Sequence, residues 1–278
     1  MKLSFSTNAF TRFSVFEAVE RIAAAGFEAV EILADSPHIF PPAFGSTELE
    51  RLRSLLEETS LEVANINANT AMGYYGRNFW EPLFEPSLAN PVDAERRWRI
   101  DYTRHCIELA NLLHCPSVSV TSGRMVPGVS PKASLDLLKQ SLRELIPFAE
   151  EHAVRLGIEY EPGLLIENCR ELACLLDDMD TPFLGANLDL GHSHVSGEDP
   201  EAVLDTLKER VFHIHLEDIA QGKHYHLIPG DGDMDFGRLF ALLRQFRYEG
   251  FVTVELYTYP HCPDEAARRS LDHLRPHI

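Results

Sequence analysis

The sequence predicts a closed parallel (β/α)8 barrel, a TIM barrel, in one domain over residues 1–278. Short runs rich in β-branched residues alternate with amphipathic helical patterns eight times, and strict alternation of this kind points to a parallel sheet wrapped by helices. A length of 278 residues suits one such barrel, which typically needs about 250. An open, doubly wound sheet is the competing architecture. It would carry a glycine-rich phosphate turn after an early strand, and none is present.

The first strand is read over 2–10 (KLSFSTNAF), followed by a helix over 14–26. Gly26 closes that helix, because glycine accepts the left-handed conformation of a C-terminal cap. AVEILAD (29–35) is the second strand, and STELERLRSLLEETS the second helix, with Thr47 and Glu50 at capping-box spacing. EVANINANT (62–70) is the third strand. Loop 71–90 follows, with Tyr74, Tyr75, Phe79, Trp80 and Phe84. So long a connection usually has a function; this one is expected to cover a substrate or to pack on a second subunit of a homo-oligomer. Pro91 opens a helix over 91–114, with Ile100, Cys106, Ile107 and Leu112 on spaced positions. SVSVTSG (117–123) is strand four, 131–153 a helix and RLGIEYEP (155–162) strand five. Helix 168–179, strand 183–190, helix 199–210, strand 211–218, helix 235–249 and strand 251–257 continue the alternation, and a helix from Pro263 to His277 ends it.

With 25 basic against 43 acidic residues the net charge is −18. Such a field repels phosphate backbones and argues against a nucleic-acid partner. No apolar run is long enough to span a bilayer, and MKLSFSTNAF has none of the features of a signal peptide. A cytoplasmic location is therefore expected. The five cysteines are scattered without CxxC spacing, which fits reduced thiols rather than a disulfide framework.

The stretch from Leu184 to Phe236 holds six of the thirteen histidines, as the pairs His192/His194, His213/His215 and His224/His226. On a strand, residues i and i+2 share a face, so each pair is expected to aim two imidazoles one way. In barrels of this kind the site lies at the C-terminal ends of the strands. Those ends carry Glu159 and Glu161 on one face of strand five, then Asp189 with His192 on the following loop, then His213 and His215, then Glu255. A carboxylate amid Val-Thr-Val and Leu is costly to bury ionised unless it is paired or metal-bound. Four successive strands thus supply Glu159, Asp189, His215 and Glu255 as ligands for one divalent ion. Three carboxylates and an imidazole suit Mn²⁺, Mg²⁺, Co²⁺ or Zn²⁺. Asn67, Asn69, Tyr74, Phe79 and Trp80 are candidate substrate-pocket residues, and Arg124 is the one strongly placed cation at the strand ends. Without a phosphate-gripping cluster, an uncharged sugar, cyclitol or keto-polyol is the favoured substrate.

The ligand order, together with ANLDLGH, VFHIHLED, HLIPGDGDMDF and FVTVELY, resembles the xylose isomerase-like barrel superfamily over nearly the whole chain. That superfamily includes sugar isomerases and epimerases, inosose and dehydroshikimate dehydratases, and family 2 AP endonucleases. The resemblance implies that Glu159, Asp189, His215 and Glu255 hold the shared metal and that Glu159 and Glu255 carry protons on opposite faces of an enediolate. It also implies that His192 binds substrate oxygen, as in ketose 3-epimerases. His226 stands where those epimerases place an arginine, and histidine cannot reproduce a bidentate guanidinium contact. Glu31 resembles a glutamate common on the second strand of the fold, with a structural or mouth-lining role, and His213 is expected to pack inside the barrel. A metal-dependent isomerase or epimerase is the first reading, and a dehydratase using the same residues the second. An AP endonuclease would need histidines on strands three and four, and NINANT and VSVTSG have none. His192, His224 and His226 match that group's third zinc site and form a candidate second metal site.

Overall fold

The computed structural model of the chain describes residues 1–77 and 83–278. Seven barrel strands come first: β1 (Lys2–Ser6), β2 (Ala29–Leu33), β3 (Glu62–Asn67), β4 (Ser117–Thr121), β5 (Arg155–Glu159), β6 (Leu184–Asp189) and β7 (Val211–Leu216). A hairpin, β8 (Asp218–Ala220) and β9 (Lys223–Leu227), intervenes before the last barrel strand, β10 (Phe251–Val254). The eight barrel strands close in sequence order, all parallel, with β10 returning to β1. The helices are α1 (Val15–Ala25), α2 (Ser46–Thr59), α3 (Met72–Tyr75), α4 (Asp93–Leu112), α5 (Pro131–Glu151), α6 (Cys169–Met179), α7 (Leu190–Val195), α8 (Pro200–Leu207), α9 (Phe236–Gln245) and α10 (Pro263–Leu274). Among the described residues no helix is long and apolar enough to cross a membrane.

Local chemistry explains most of the boundaries. Ser14 and Glu17 form a reciprocal capping box at the start of α1, and Gly26 ends it at φ 97°. On α2 the expected box from Thr47 to Glu50 is displaced: Glu48 reaches back to the Gly45 amide at 2.9 Å, so the helix starts at Ser46. Helix α4 spans less than 91–114, and Leu112 at its end is 46% exposed rather than packed. Several strands end before the apolar alternation does. Thr7–Phe10 is a 3₁₀ turn capped by Ser6, and Asn69 and Glu161 lie beyond β3 and β5. Periodicity reports side-chain facing, which outlasts the last ladder hydrogen bond.

Alternation along the strands separates two environments. Val30, Ile32, Val118, Leu156, Ile158, Leu188, Ile214 and Val252 join the apolar layer beneath the helices. Their neighbours Glu31, Asn65, Asn67, Ser119, Asn187, His213, His215 and Thr253 are equally buried, on the other face of the pleat. The interior is thus a polar network rather than the usual layers of branched aliphatics. All five cysteines are free, and Cys106 is fully buried.

Three buried groups hold the loops at the mouth. Asp35 accepts the amides of Met72 and Gly73, each at 2.6 Å, and the Thr70 hydroxyl. Arg99 donates to the carbonyls of Ala68, Thr70, Phe84 and Pro86. Asp218 accepts from Gly230, Gly232 and Met234, and a side chain at position 232 would collide with it.

Candidate active site

Glu159, Asp189, His215 and Glu255 converge at the C-terminal ends of their strands, with one ligand atom from each within 4.8 Å of the others. The register explains the meeting. Asp189 on β6 pairs with His215 on β7, His215 pairs with Thr253 on β10, and Glu255 lies two residues further along. All four are buried.

The carboxylates are held by amides. Glu159 Oε2 accepts from Asn69 Nδ2 at 2.7 Å and from Asn187 Nδ2. Glu255 Oε1 accepts from Asn8 Nδ2 at 2.8 Å and Asn67 Nδ2 at 3.0 Å. Asp189 caps α7, its Oδ1 accepting the His192 amide at 2.9 Å, while its buried Oδ2 has no hydrogen-bond partner. An unpartnered buried carboxylate oxygen among three carboxylates fits a bound cation. So does the donor set, carboxylate oxygens with one imidazole nitrogen, which matches a divalent first-row or alkaline-earth ion.

The electrostatics show the same imbalance. Burial pushes Glu255 well above the usual carboxylate range; His215 opposes this, and the charges of Glu159, Glu31 and Asp189 reinforce it. Burial opposes a charged His215, but Glu31, Glu255 and Glu159 around it drive its pKa well upward. Asp189, despite burial, is held at about 2 by His192 and His215. Burial opposes a charged His192 too, but Asp189 and Glu159 raise its pKa, so His192 and His215 are the imidazoles that offset these buried carboxylates.

Above the quartet lies a cavity of about 540 Å³, lined among others by Asn8, Asn67, Asn69, Thr70, Met72, Phe84, Glu161, His192, His224, His226 and Tyr257. That volume is ordinary for a small-molecule site. A larger hollow of about 640 Å³ lies at the opposite end of the barrel, lined by Arg53, Leu56, Val63, Leu113 and Phe251; it contains no convergent ligand set, so size does not identify the site here.

The three histidine pairs take three different forms. His213 and His215 stay on β7 and both point at Glu31, with their Nε2 atoms 3.4 Å and 2.6 Å from its Oε2. The pair His192/His194 does not share a face, because it lies on α7 rather than on a strand or loop; His192 is buried and His194 exposed. His224 and His226 share the inward face of β9, with ring centroids 4.2 Å apart, and with His192 they form a second group whose ligand atoms lie within 4.8 Å. His192 Nδ1 meets the Tyr160 carbonyl at 3.0 Å, and His226 Nδ1 the Glu255 carbonyl at 3.3 Å. Burial, with His224 beside it, lowers His226 to about 3. Burial raises Glu161 to about 7, opposed by His192 and reinforced by Glu159.

Asn67 lines the cavity, but its amide is engaged below it. Nδ2 reaches Glu31 and Glu255, and Oδ1 accepts the Asn69 amide. Arg124 lines the cavity as expected, and Arg12, not singled out from sequence, is a second guanidinium there. Phe79 and Trp80 lie outside the described residues. Asn8 and Asn187 were also missed. Asn187 sits two residues before Asp189 and faces the same way, so strand parity was the available signal. The β8–β9 hairpin escaped because its turn is Gln221-Gly222, both at positive φ, rather than the usual Asn-Gly. Glu217 was missed too. It is fully buried, neither oxygen has a hydrogen-bond partner, and burial next to Asp189 pushes its pKa well up.

Comparison with known proteins agrees with this architecture. A family model described as xylose isomerase-like TIM barrel matches residues 19–277. Fructoselysine 3-epimerase of Shigella flexneri is 24% identical over 280 residues, covering 99% of this chain and 97% of that protein. Inosose dehydratase of Clostridium perfringens is 31% identical over 135 residues, 42% of this chain and 46% of that protein. The solved structure of the IOLI protein with a bound zinc atom matches 100% of this chain and 99% of that one, with a TM-score of 0.78 at 17% identity.

Proposed function

The chain belongs to the xylose isomerase-like TIM barrel family, and on that premise we propose that it is a divalent-metal-dependent isomerase or epimerase. Its substrate in this reading is a small sugar, cyclitol or related keto-polyol. Glu159, Asp189, His215 and Glu255 would hold the ion. When bound, the ion would polarise a substrate carbonyl and acidify the neighbouring C–H.

The observation that carries the reading is the matched pair Glu159 and Glu255. Each is anchored through one oxygen by two asparagine amides, and both line the floor of the cavity. One carboxylate removes the proton from carbon and the other returns one from the opposite side, inverting the centre through an enediolate. The asparagines hold each carboxylate in place during the transfer. His192 and His226 are placed to hydrogen-bond substrate hydroxyls. Met72 and Phe84, which also line the cavity, support a covering role for loop 71–90.

A dehydratase is the second reading, favoured by the similarity to inosose dehydratase over 135 residues. The same proton abstraction would be followed by departure of a β-hydroxyl, with proton donation from Glu161 or His192 at the cavity wall. One experiment separates the readings. The protein, loaded in turn with Mn²⁺, Co²⁺ or Zn²⁺, is incubated in D₂O with a panel of ketoses, inososes and their phosphates. Metal-dependent deuterium uptake beside a carbonyl, with no change in composition, is the epimerase result. Loss of one water from the product is the dehydratase result. Neither change across the panel would remove both.

A further inference from the structure

Glu31 is outside the proposed ligand quartet, yet it is fully buried at the centre of the barrel and touches one member. We infer that Glu31 is a positioning residue that holds His215 as the Nε2–H tautomer and so presents its Nδ1 lone pair to the cation site. The inference rests on the metal-site reading above.

The hydrogen bonds at the Glu31 edge of the ring place a proton on Nε2. Asn65 Nδ2 donates to Glu31 Oε2 and to the Ser119 hydroxyl, each at 2.9 Å, and its Oδ1 accepts from the Ser117 hydroxyl. Asn67 Oδ1 accepts the Asn69 amide at 3.2 Å, so its Nδ2 faces Glu31 Oε1, at 3.2 Å. Both Glu31 oxygens therefore accept, as an ionised carboxylate must. His215 Nε2 lies 2.6 Å from Oε2 and can bond there only as a donor. At the other edge, His215 Nδ1 lies 3.2 Å from Asn187 Nδ2. That amide nitrogen is identified as the donor by its bond to Glu159, so it favours a lone pair on Nδ1, and a cation held by the neighbouring carboxylates would take the place of a proton there. The same Nδ1 faces the quartet, 3.2 Å from Glu159 Oε2 and 3.5 Å from Glu255 Oε2. Glu31 is itself held by asparagines on β3, and Asn67 ties it to Glu255. A carboxylate that fixes the ring of a metal-binding histidine sets both its tautomer and its basicity.

A carboxylate that only filled the barrel interior would affect folding and nothing else, so the test separates affinity from stability. Zinc affinity is measured by competition with a chromophoric chelator for the wild type, Glu31→Gln and the control His213→Gln. In Glu31→Gln an amide donor faces Asn65, Asn67 or His215, and zinc should bind about 10–100-fold more weakly. Glu31→Gln will also lower the metal-free melting temperature, because it leaves a buried donor unpaired, so affinity is compared at a temperature where each metal-free protein is folded; His213→Gln should keep wild-type affinity. In the zinc-loaded wild type, two-bond ¹H–¹⁵N spectra of His215 should show a proton on Nε2 and none on Nδ1; this needs no variant to fold. Equal affinity in Glu31→Gln, or a proton on Nδ1, overturns the inference and leaves the metal site standing. A wild type that binds no zinc, manganese or cobalt overturns the metal-site reading and this inference with it.

Discussion

The quartet Glu159, Asp189, His215 and Glu255 and the trio His192, His224 and His226 share one mouth, and each gathers its ligand atoms within 4.8 Å. They answer burial in opposite ways. In the trio, burial lowers His224 and His226, which can stay neutral, while Asp189 and Glu159 raise His192 against its burial. The quartet has three carboxylates in a region where Glu31 and Glu217 are buried as well. Buried like charges are relieved by protonation or by a cation. Geometry alone nominates both clusters. Composition separates them, because the quartet brings three carboxylates together and the trio brings none. The trio faces the cavity and is better suited to substrate hydroxyls.

The largest effect that bears on this contrast comes from the quartet. Glu255→Gln should lower turnover by about 10²–10⁴-fold, the usual worth of a general acid or base, and should release bound metal, measured by elemental analysis of protein purified without chelator. Full turnover with full metal content would undo the assignment.

His38 calibrates what a neutral buried histidine is worth away from both clusters. Its Nε2 meets the Phe10 carbonyl at 3.2 Å, and burial lowers its pKa to about 4. The unfolded chain, with a histidine pKa near 6.5, binds this proton first, so stability is complete above about pH 6.5 and declines as pH falls towards 4. The loss is about 3 kcal/mol. Denaturant titrations at pH 7 and pH 4.5 should show a smaller difference for His38→Gln than for the wild type. Parallel behaviour of the two proteins would mean that the ring is not buried neutral.

His226→Ala tests the trio. Loss of one or two hydrogen bonds to substrate should reduce kcat/KM about 10–100-fold, with one equivalent of metal retained. A second equivalent in the wild type that disappears in this variant would make the trio a metal site after all. Smallest of all is the expected response to DNA. With a net charge of −18 and asparagines where a nuclease would need histidines on β3, the protein should show no binding to abasic duplex at physiological salt. Nanomolar, salt-sensitive binding would restore the nuclease reading.

The barrel and the quartet were both legible before the fold was known, for the same reason. Strand facing has a period of two, and a carboxylate or imidazole inside a buried strand has few stable environments, so IEYEP, NLDLGH, HIHLED and TVELY marked four side chains that converge. What lay outside strands was misread or missed. His192 and His194 were expected to aim one way, but Asp189 caps a helix there and turns His194 to solvent. Asn8 holds a carboxylate 247 residues away in sequence, and no local pattern reports such a partner.

The sequence by itself determined the closed parallel barrel and the four side chains that converge at its mouth, because burial pattern and strand order are local properties that closure then obeys. Only the tertiary structure decided how those side chains are held. Glu31 lies 184 residues from His215 in sequence and 2.6 Å from it in space; which nitrogen of that ring faces the site follows from barrel closure and the hydrogen bonds it brings together. The β8–β9 hairpin that carries His224 and His226 over the cavity is likewise a tertiary matter. Its position depends on the Asp218 clamp, and its turn lacks the residues that mark such hairpins in a sequence.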